Sequence, residues 1–172
     1  MFVAKVAVIG SATGKTSFIK SNVLGFYDNN EMSTIGFTPY RLTLSTSKQP
    51  FDSTIWDTSS EQPNCINHLN PVAYILFCED SSLNNNKWFK YIDKSKPIVY
   101  VWGAVDIGCR QNLPSYLNQH DPILVSVIDK TNLQQPFLRV AQLLINNSNL
   151  KILNEDTSSN ILGLPLVKHK KY

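Results

Sequence analysis

The sequence predicts an α/β fold: a six-stranded, mostly parallel sheet with one antiparallel hairpin strand and helices on both faces. Three observations lead there. Strand-length apolar runs alternate with segments of helical spacing, the pattern of a doubly wound sheet. Two early strand-like segments are separated only by the polar turn around Ser47 to Pro50, too short for a crossover, so they pair antiparallel. The later runs are continuously apolar, as strands covered on both faces are.

In chain order, Val3 to Ile9 is β-branched and ends in a glycine-containing turn, a strand. Lys15 to Leu24 has helical spacing, with Phe18, Ile19 and Val23 on the buried side. Phe37 to Thr46 and Phe51 to Asp57 are the two arms of the hairpin. Val72 to Cys78, Pro97 to Trp102 and Ile123 to Val127 are the central apolar strands. Helical patterns fall between and after them: Asn84 to Asp93 with Trp88, Phe89 and Ile92, a weaker one at Leu113 to Gln119, and Leu133 to Ile145 with Phe137, Val140, Ala141 and Leu144. Asn84 to Asn86 and Asn146 to Asn149 read as helix start and stop signals. From Asn154 the chain turns polar and loses helical period, so residues 1–153 are expected to form one domain and 154–172 a flexible tail.

Composition narrows the class. A chain of 172 residues with 42% hydrophobic and 10% aromatic content buries a core of its own and is not disordered. The net charge of +3 is concentrated at the end, in Lys168, Lys170 and Lys171, so nothing in the body calls for nucleic acid. Cys65, Cys78 and Cys109 form no close pair, and Cys78 lies in an apolar run, which fits a reducing compartment and no zinc site. The apolar start is too short to span a bilayer and is followed by a loop and helix, so neither signal peptide nor membrane span is expected. His68, His120 and His169 have no ligand spacing and read as surface or loop residues, and Glu79 and Asp80 as a cap on the loop after the fourth strand.

The chemistry is concentrated where the first strand meets the first helix. Gly10-Ser11-Ala12-Thr13-Gly14-Lys15-Thr16 lies between strand and helix, the setting of a phosphate-binding loop. Backbone N–H groups there wrap a phosphate chain, Lys15 neutralises the β and γ groups, and the Thr16 hydroxyl ligates Mg2+, with Ser17 beside it. The usual pattern has four residues between its two glycines, and Gly10 leaves three. Either the loop is one residue short or Ile9 takes the first glycine position.

Downstream residues answer that loop, and here the sequence resembles Ras-superfamily small GTPases. Thr34, in Ser33-Thr34-Ile35-Gly36, resembles the switch I threonine that closes over Mg2+ and the γ-phosphate. Asp57, in Trp56-Asp57-Thr58, resembles the aspartate that holds Mg2+ through water. The implied metal set is Thr16, Thr34 and Asp57, and the implied cofactors are GTP or GDP with Mg2+. STIGF, WDT and NNNKWFKYI make the likeness one to the Rab branch. Tyr27 falls where the family sets an aromatic against guanine, a position equally suited to core packing.

The departures are as specific. Where the family continues WDT with Ala-Gly-Gln-Glu, this chain has Ser59-Ser60-Glu61-Gln62-Pro63. Ser60 replaces the glycine whose backbone meets the γ-phosphate; its amide still donates but the hinge is stiffer. Glu61 stands where a catalytic glutamine orients water, and a carboxylate beside a polyanion opposes hydrolysis; Gln62 is one residue out of register and followed by Pro63. Little switch II helix is left before the fourth strand. In the base-reading segment Gly103-Ala104-Val105-Asp106 only Asp106 survives, able to accept from guanine in a charge-assisted pair, while Trp102 is either a stacking residue or core. In the last motif only Ser126 matches, with Lys130 displaced. No cysteine follows Cys109, so a prenyl anchor is not expected, and the terminal lysines give at most weak contact with anionic lipid.

The resemblance therefore implies a Rab-like, Mg2+-dependent GTP-binding protein with slow or impaired hydrolysis, located inside the cell on the cytoplasmic side and engaging an effector or complex subunit through switches I and II. The alternative is a pseudo-GTPase serving as a structural or adaptor subunit, with nucleotide absent or trapped. A P-loop kinase or ATPase is disfavoured, because the early hairpin, Thr34 and Asp106 have no role in one.

Overall fold

The structure is a computed structural model that describes residues 3–10, 14–27, 33–78, 88–104 and 115–153. Its framework is a six-stranded sheet in the order β2-β3-β1-β4-β5-β6. The strands are β1 (Ala4–Gly10), β2 (Phe37–Leu44), β3 (Phe51–Thr58), β4 (Ala73–Cys78), β5 (Ile98–Ala104) and β6 (Ile123–Ser126). Only β2 and β3 pair antiparallel, from Phe37 opposite Thr58 to Leu44 opposite Phe51. The other pairings are parallel. The expected sheet and its single hairpin are both present.

Two apolar clusters lie on the two faces. Alternate β1 residues divide between them: Val6 and Val8 with Phe18, Phe77 and Phe137 on one face, Ala7 and Ile9 with Ile66, Trp88, Trp102 and Leu117 on the other. The first cluster is covered by helices α1 (Lys15–Val23) and α2 (Gln135–Ile145), and the second by residues of short 3-10 turns at Pro63–His68, Trp88–Lys90 and Ser115–His120. Phe18 links the α1 layer to its surroundings. Its ring stacks on Phe137 at 5.0 Å and meets Phe77 edge-on at 5.1 Å, tying α1 to α2 and β4 at once. Helix α2 opens with Pro136 in its first turn and stops at Asn146, whose φ of 53° lets its N–H return to Gln142 and Leu143.

Two helical expectations are corrected. The described part of the Asn84 to Asp93 pattern forms only the 3-10 turn Trp88–Lys90, residues 84–87 lying outside the described residues. The Asp93 carboxylate accepts from the Ser95 amide at 3.1 Å and hydroxyl at 2.6 Å, a local side-chain turn that follows the expected helix end and leads to Pro97. Trp88 and Ile92 are nonetheless buried, as the pattern required. The weaker pattern near Leu113 is a 3-10 turn at Ser115–His120, with Leu117 buried. Trp102 belongs to the core. The proposed tail, residues 154–172, lies outside the described residues.

One long-range pairing was not anticipated. The segment after α2 returns to the hairpin, with Ser47 N donating to Lys151 O at 2.8 Å and Leu153 N to Ser45 O at 2.9 Å. Among the described residues no helix is long and apolar enough to cross a membrane.

Candidate nucleotide and magnesium site

The site forms where parallel strands end and their connections begin, the place an open α/β sheet offers a ligand. β1 ends at Gly10, which pairs with Phe77 of β4. Its φ is +127°, and a Cβ there would lie 2.2 Å from the Phe77 carbonyl oxygen, so no side chain fits between the strands. Residues 11–13, the middle of the expected phosphate loop, lie outside the described residues. The chain re-enters at Gly14, the left-handed N-cap of α1 at φ 94°, which makes no side-chain cap. No acidic residue lies in the first turn of α1, so the partial positive charge of its N–H groups faces the loop uncompensated. That suits an anion.

Lys15 is buried, and its ammonium donates to Gly10 O at 2.8 Å and to Ser60 Oγ at 2.5 Å. Thr16, one residue on, donates to Asp57 Oδ2 at 2.7 Å. Thr34 arrives from the segment before β2 and donates to the same oxygen at 3.0 Å, with the two threonine hydroxyls 3.0 Å apart. Two hydroxyls from separate parts of the chain thus converge on one carboxylate oxygen of a third. Asp57 is buried at the end of β3, and the next residue, Thr58, anchors that end by donating to Val8 O at 2.8 Å.

The donor chemistry fits the implied ion. Two hydroxyls and a carboxylate are hard oxygen donors, which Mg2+ prefers. Among the described residues no group of three or more His, Cys, Asp or Glu could hold a metal, so hydroxyls would have to complete any such set at Asp57. The buried ammonium and the uncapped α1 N-terminus lie beside these oxygens, in the relation a phosphate chain bound with a metal requires.

Other expected residues are less directly placed. Ser17 is buried in the first turn of α1, and Tyr27 packs against the first core cluster. Glu61 and Gln62 are exposed, the Glu61 amide being held by Ser59 Oγ at 3.2 Å. Ser126 is buried and its hydroxyl donates to Asp129 at 2.6 Å while accepting from the Asp129 amide at 3.2 Å, so it organises the turn after β6. Asp106 lies outside the described residues, as do Glu79, Asp80 and His169. His68 is exposed, and His120 stacks on Tyr100 at 4.2 Å.

Gly103 has a structural reason. A Cβ at that position would lie 2.8 Å from the Phe77 ring, which fills the space beside Gly103. A side chain at Gly103 and the Phe77 ring in its present position exclude each other.

Sequence reasoning missed the Ser60 side chain, having assigned that residue only a backbone amide, and the ties that brace switch I. Ser59 N donates to Gly36 O at 2.8 Å, and Cys65 Sγ lies 3.6 Å from the same oxygen. Burial holds the Cys65 thiol above its ordinary pKa, so it acts there as a weak donor. A hydroxyl in place of the family's glycine was the available signal for Ser60.

A family model described as Ras family matches residues 5–69. The matched stretch runs from β1 to the end of the Pro63–His68 turn and its neighbour Leu69, and contains Lys15, Thr16, Tyr27, Thr34, Asp57, Ser60, Glu61 and Gln62. Over that stretch the chain is similar to the Ras family, and the sheet is consistent with the Ras-like P-loop fold. Ras-family proteins generally bind guanine nucleotide and engage effectors. Asp106 and Ser126 fall outside the match.

Proposed function

We propose that this chain is a Rab-like, Mg2+-dependent guanine-nucleotide-binding protein with slow hydrolysis, acting inside the cell as a partner-dependent switch. The observation that carries this reading is the meeting of Thr16 and Thr34 on Asp57 Oδ2, with Lys15 beside them. Thr16, Thr34 and Asp57 would hold Mg2+, which supplies neutralisation of charge on the phosphate oxygens. The chain's own groups do the rest. Lys15 and the α1 N-terminus bind the phosphate chain, Thr34 brings switch I against it, and Asp57 holds both threonine hydroxyls in place.

Thr34 is followed by Ile35, which is 87% exposed, and by Phe37, which is 40% exposed and meets Trp56 edge-on at 5.2 Å. An ordered Thr34 fixes the place where those apolar groups are displayed, which gives an effector or complex subunit a state-dependent surface. Isothermal titration with GTP, GDP and ATP in Mg2+ tests the reading. Binding of GTP and GDP with weaker ATP binding is expected, and binding of none of them ends it.

A second reading, the pseudo-GTPase subunit, is favoured by the base-reading side, where Phe77 occupies the space beneath Gly103 and the Ser126 hydroxyl is bound to Asp129. Denaturing the native protein and identifying the released small molecule separates the two. Unhydrolysed GTP denotes a trapped nucleotide, GDP denotes turnover or uptake as GDP, and none denotes an empty scaffold.

A further inference from the structure

We infer that the Ser60 hydroxyl is a specificity element that sets the preference between diphosphate and triphosphate by taking the Lys15 contact a γ-phosphate oxygen needs. The inference rests on the nucleotide reading above and adds to it a role for a side chain that the family pattern does not contain.

An ammonium donates and never accepts, so in the 2.5 Å contact Ser60 Oγ is the acceptor. A phosphate oxygen is also an acceptor, and one that approaches on the Ser60 side of the three-donor ammonium competes with that hydroxyl for the N–H directed there. Lys15 is only 4% exposed, so its ammonium depends on protein or ligand oxygens rather than on water. Gly10 O holds it from the β1 side and Ser60 Oγ from the segment after β3. These two sides are not equivalent for a nucleotide. In the nucleotide reading the α1 N-terminus takes the inner phosphates and the residues after Asp57 the terminal one.

A diphosphate leaves the Ser60 contact in place. A triphosphate must displace it, and the displaced hydroxyl belongs to a segment held by further bonds. Ser59 N is bound to Gly36 O at 2.8 Å and the Glu61 amide to Ser59 Oγ at 3.2 Å, so the backbone on either side of Ser60 is held and the hydroxyl yields by turning its own side chain away, with loss of the Lys15 contact. Glycine at this position offers no competing oxygen, which is why the substitution changes preference and not merely flexibility.

The test is a titration of the full chain with GDP and with a non-hydrolysable GTP analogue in Mg2+, for wild type, Ser60→Ala and Ser60→Thr, with thermal unfolding of each variant as the check on folding. Ser60→Ala is expected to raise triphosphate over diphosphate affinity by about tenfold, the scale of one hydrogen bond to a charged group. Ser60→Thr keeps the hydroxyl and is expected to keep a ratio near that of wild type. An unchanged or lowered ratio in Ser60→Ala, loss of GDP binding in that variant, or the same rise in Ser60→Thr overturns the assignment. Failure of the wild type to bind either nucleotide removes the underlying reading, and this inference with it. Binding of both with no effect of Ser60→Ala overturns the Ser60 role alone.

Discussion

Lys15 is the residue on which the proposed phosphate contact turns, because its buried charge must be matched by oxygen. Lys15→Ala should lower nucleotide affinity at least tenfold, since hydrogen bonds to charged groups contribute ~1.5–3 kcal/mol each, and calorimetric titration reads it directly. On the proposed reading, Glu61 stands near the terminal phosphate, and Glu61→Gln removes a negative charge there. Single-turnover hydrolysis should rise by about tenfold or more, a barrier change of ~1.4 kcal/mol, and an unaltered rate would place the limiting defect elsewhere. Gly103→Asn tests the packing account of the altered base-reading segment. Because the new Cβ meets the Phe77 ring at 2.8 Å, restoring the family residue should destabilise the fold by about 1–3 kcal/mol in urea unfolding. Phe77→Leu in the same chain should recover part of that loss.

At the scale of elements, α1 delivers Lys15 and Thr16 only because its far face is fixed. Phe18 does this through Phe77 and Phe137. Phe18→Ala should cost ~3–5 kcal/mol in unfolding free energy, the range for deleting a fully buried phenyl ring. Nucleotide affinity should fall as well, since α1 would no longer be held against β4. The hairpin and the existence of α1 and α2 were legible in sequence, because apolar period and short connections are local properties. Of the Asn84 to Asp93 helix the described residues form only a 3-10 turn: the period was real, as buried Trp88 and Ile92 show, but burial of those two residues does not by itself distinguish a 3-10 turn from an α-helix.

For the whole molecule, stability rests on two cores sharing one sheet, and Cys78 lies in the second of them. Burial pushes its thiol up to about 12 from an ordinary 9.0. The sign follows from which state ionises first. Above pH 9 the unfolded chain loses this proton while the folded one keeps it, so stability is fully present below pH 9 and declines toward about pH 12. Comparing thermal unfolding of wild type and Cys78→Ala across that window isolates this contribution, and the variant should lose less stability as pH rises. In the native state Cys78 should also resist alkylation at neutral pH and react once unfolded, as mass spectrometry of labelled protein would show.

The sequence by itself determined the sheet, its one hairpin and the residues that meet around Asp57, because strand period, turn length and the spacing of Lys15, Thr16, Thr34 and Asp57 are written along the chain. Only the tertiary structure decided what those residues touch. That Ser60 takes the Lys15 ammonium, that Phe77 excludes a side chain at Gly103, that Ser126 is bound to Asp129 and that Lys151 and Leu153 return to the hairpin are contacts between separate parts of the backbone. Periodicity reports which face of an element is buried and is silent about which neighbour fills the space there, because that depends on the volumes and polar groups brought up by other elements.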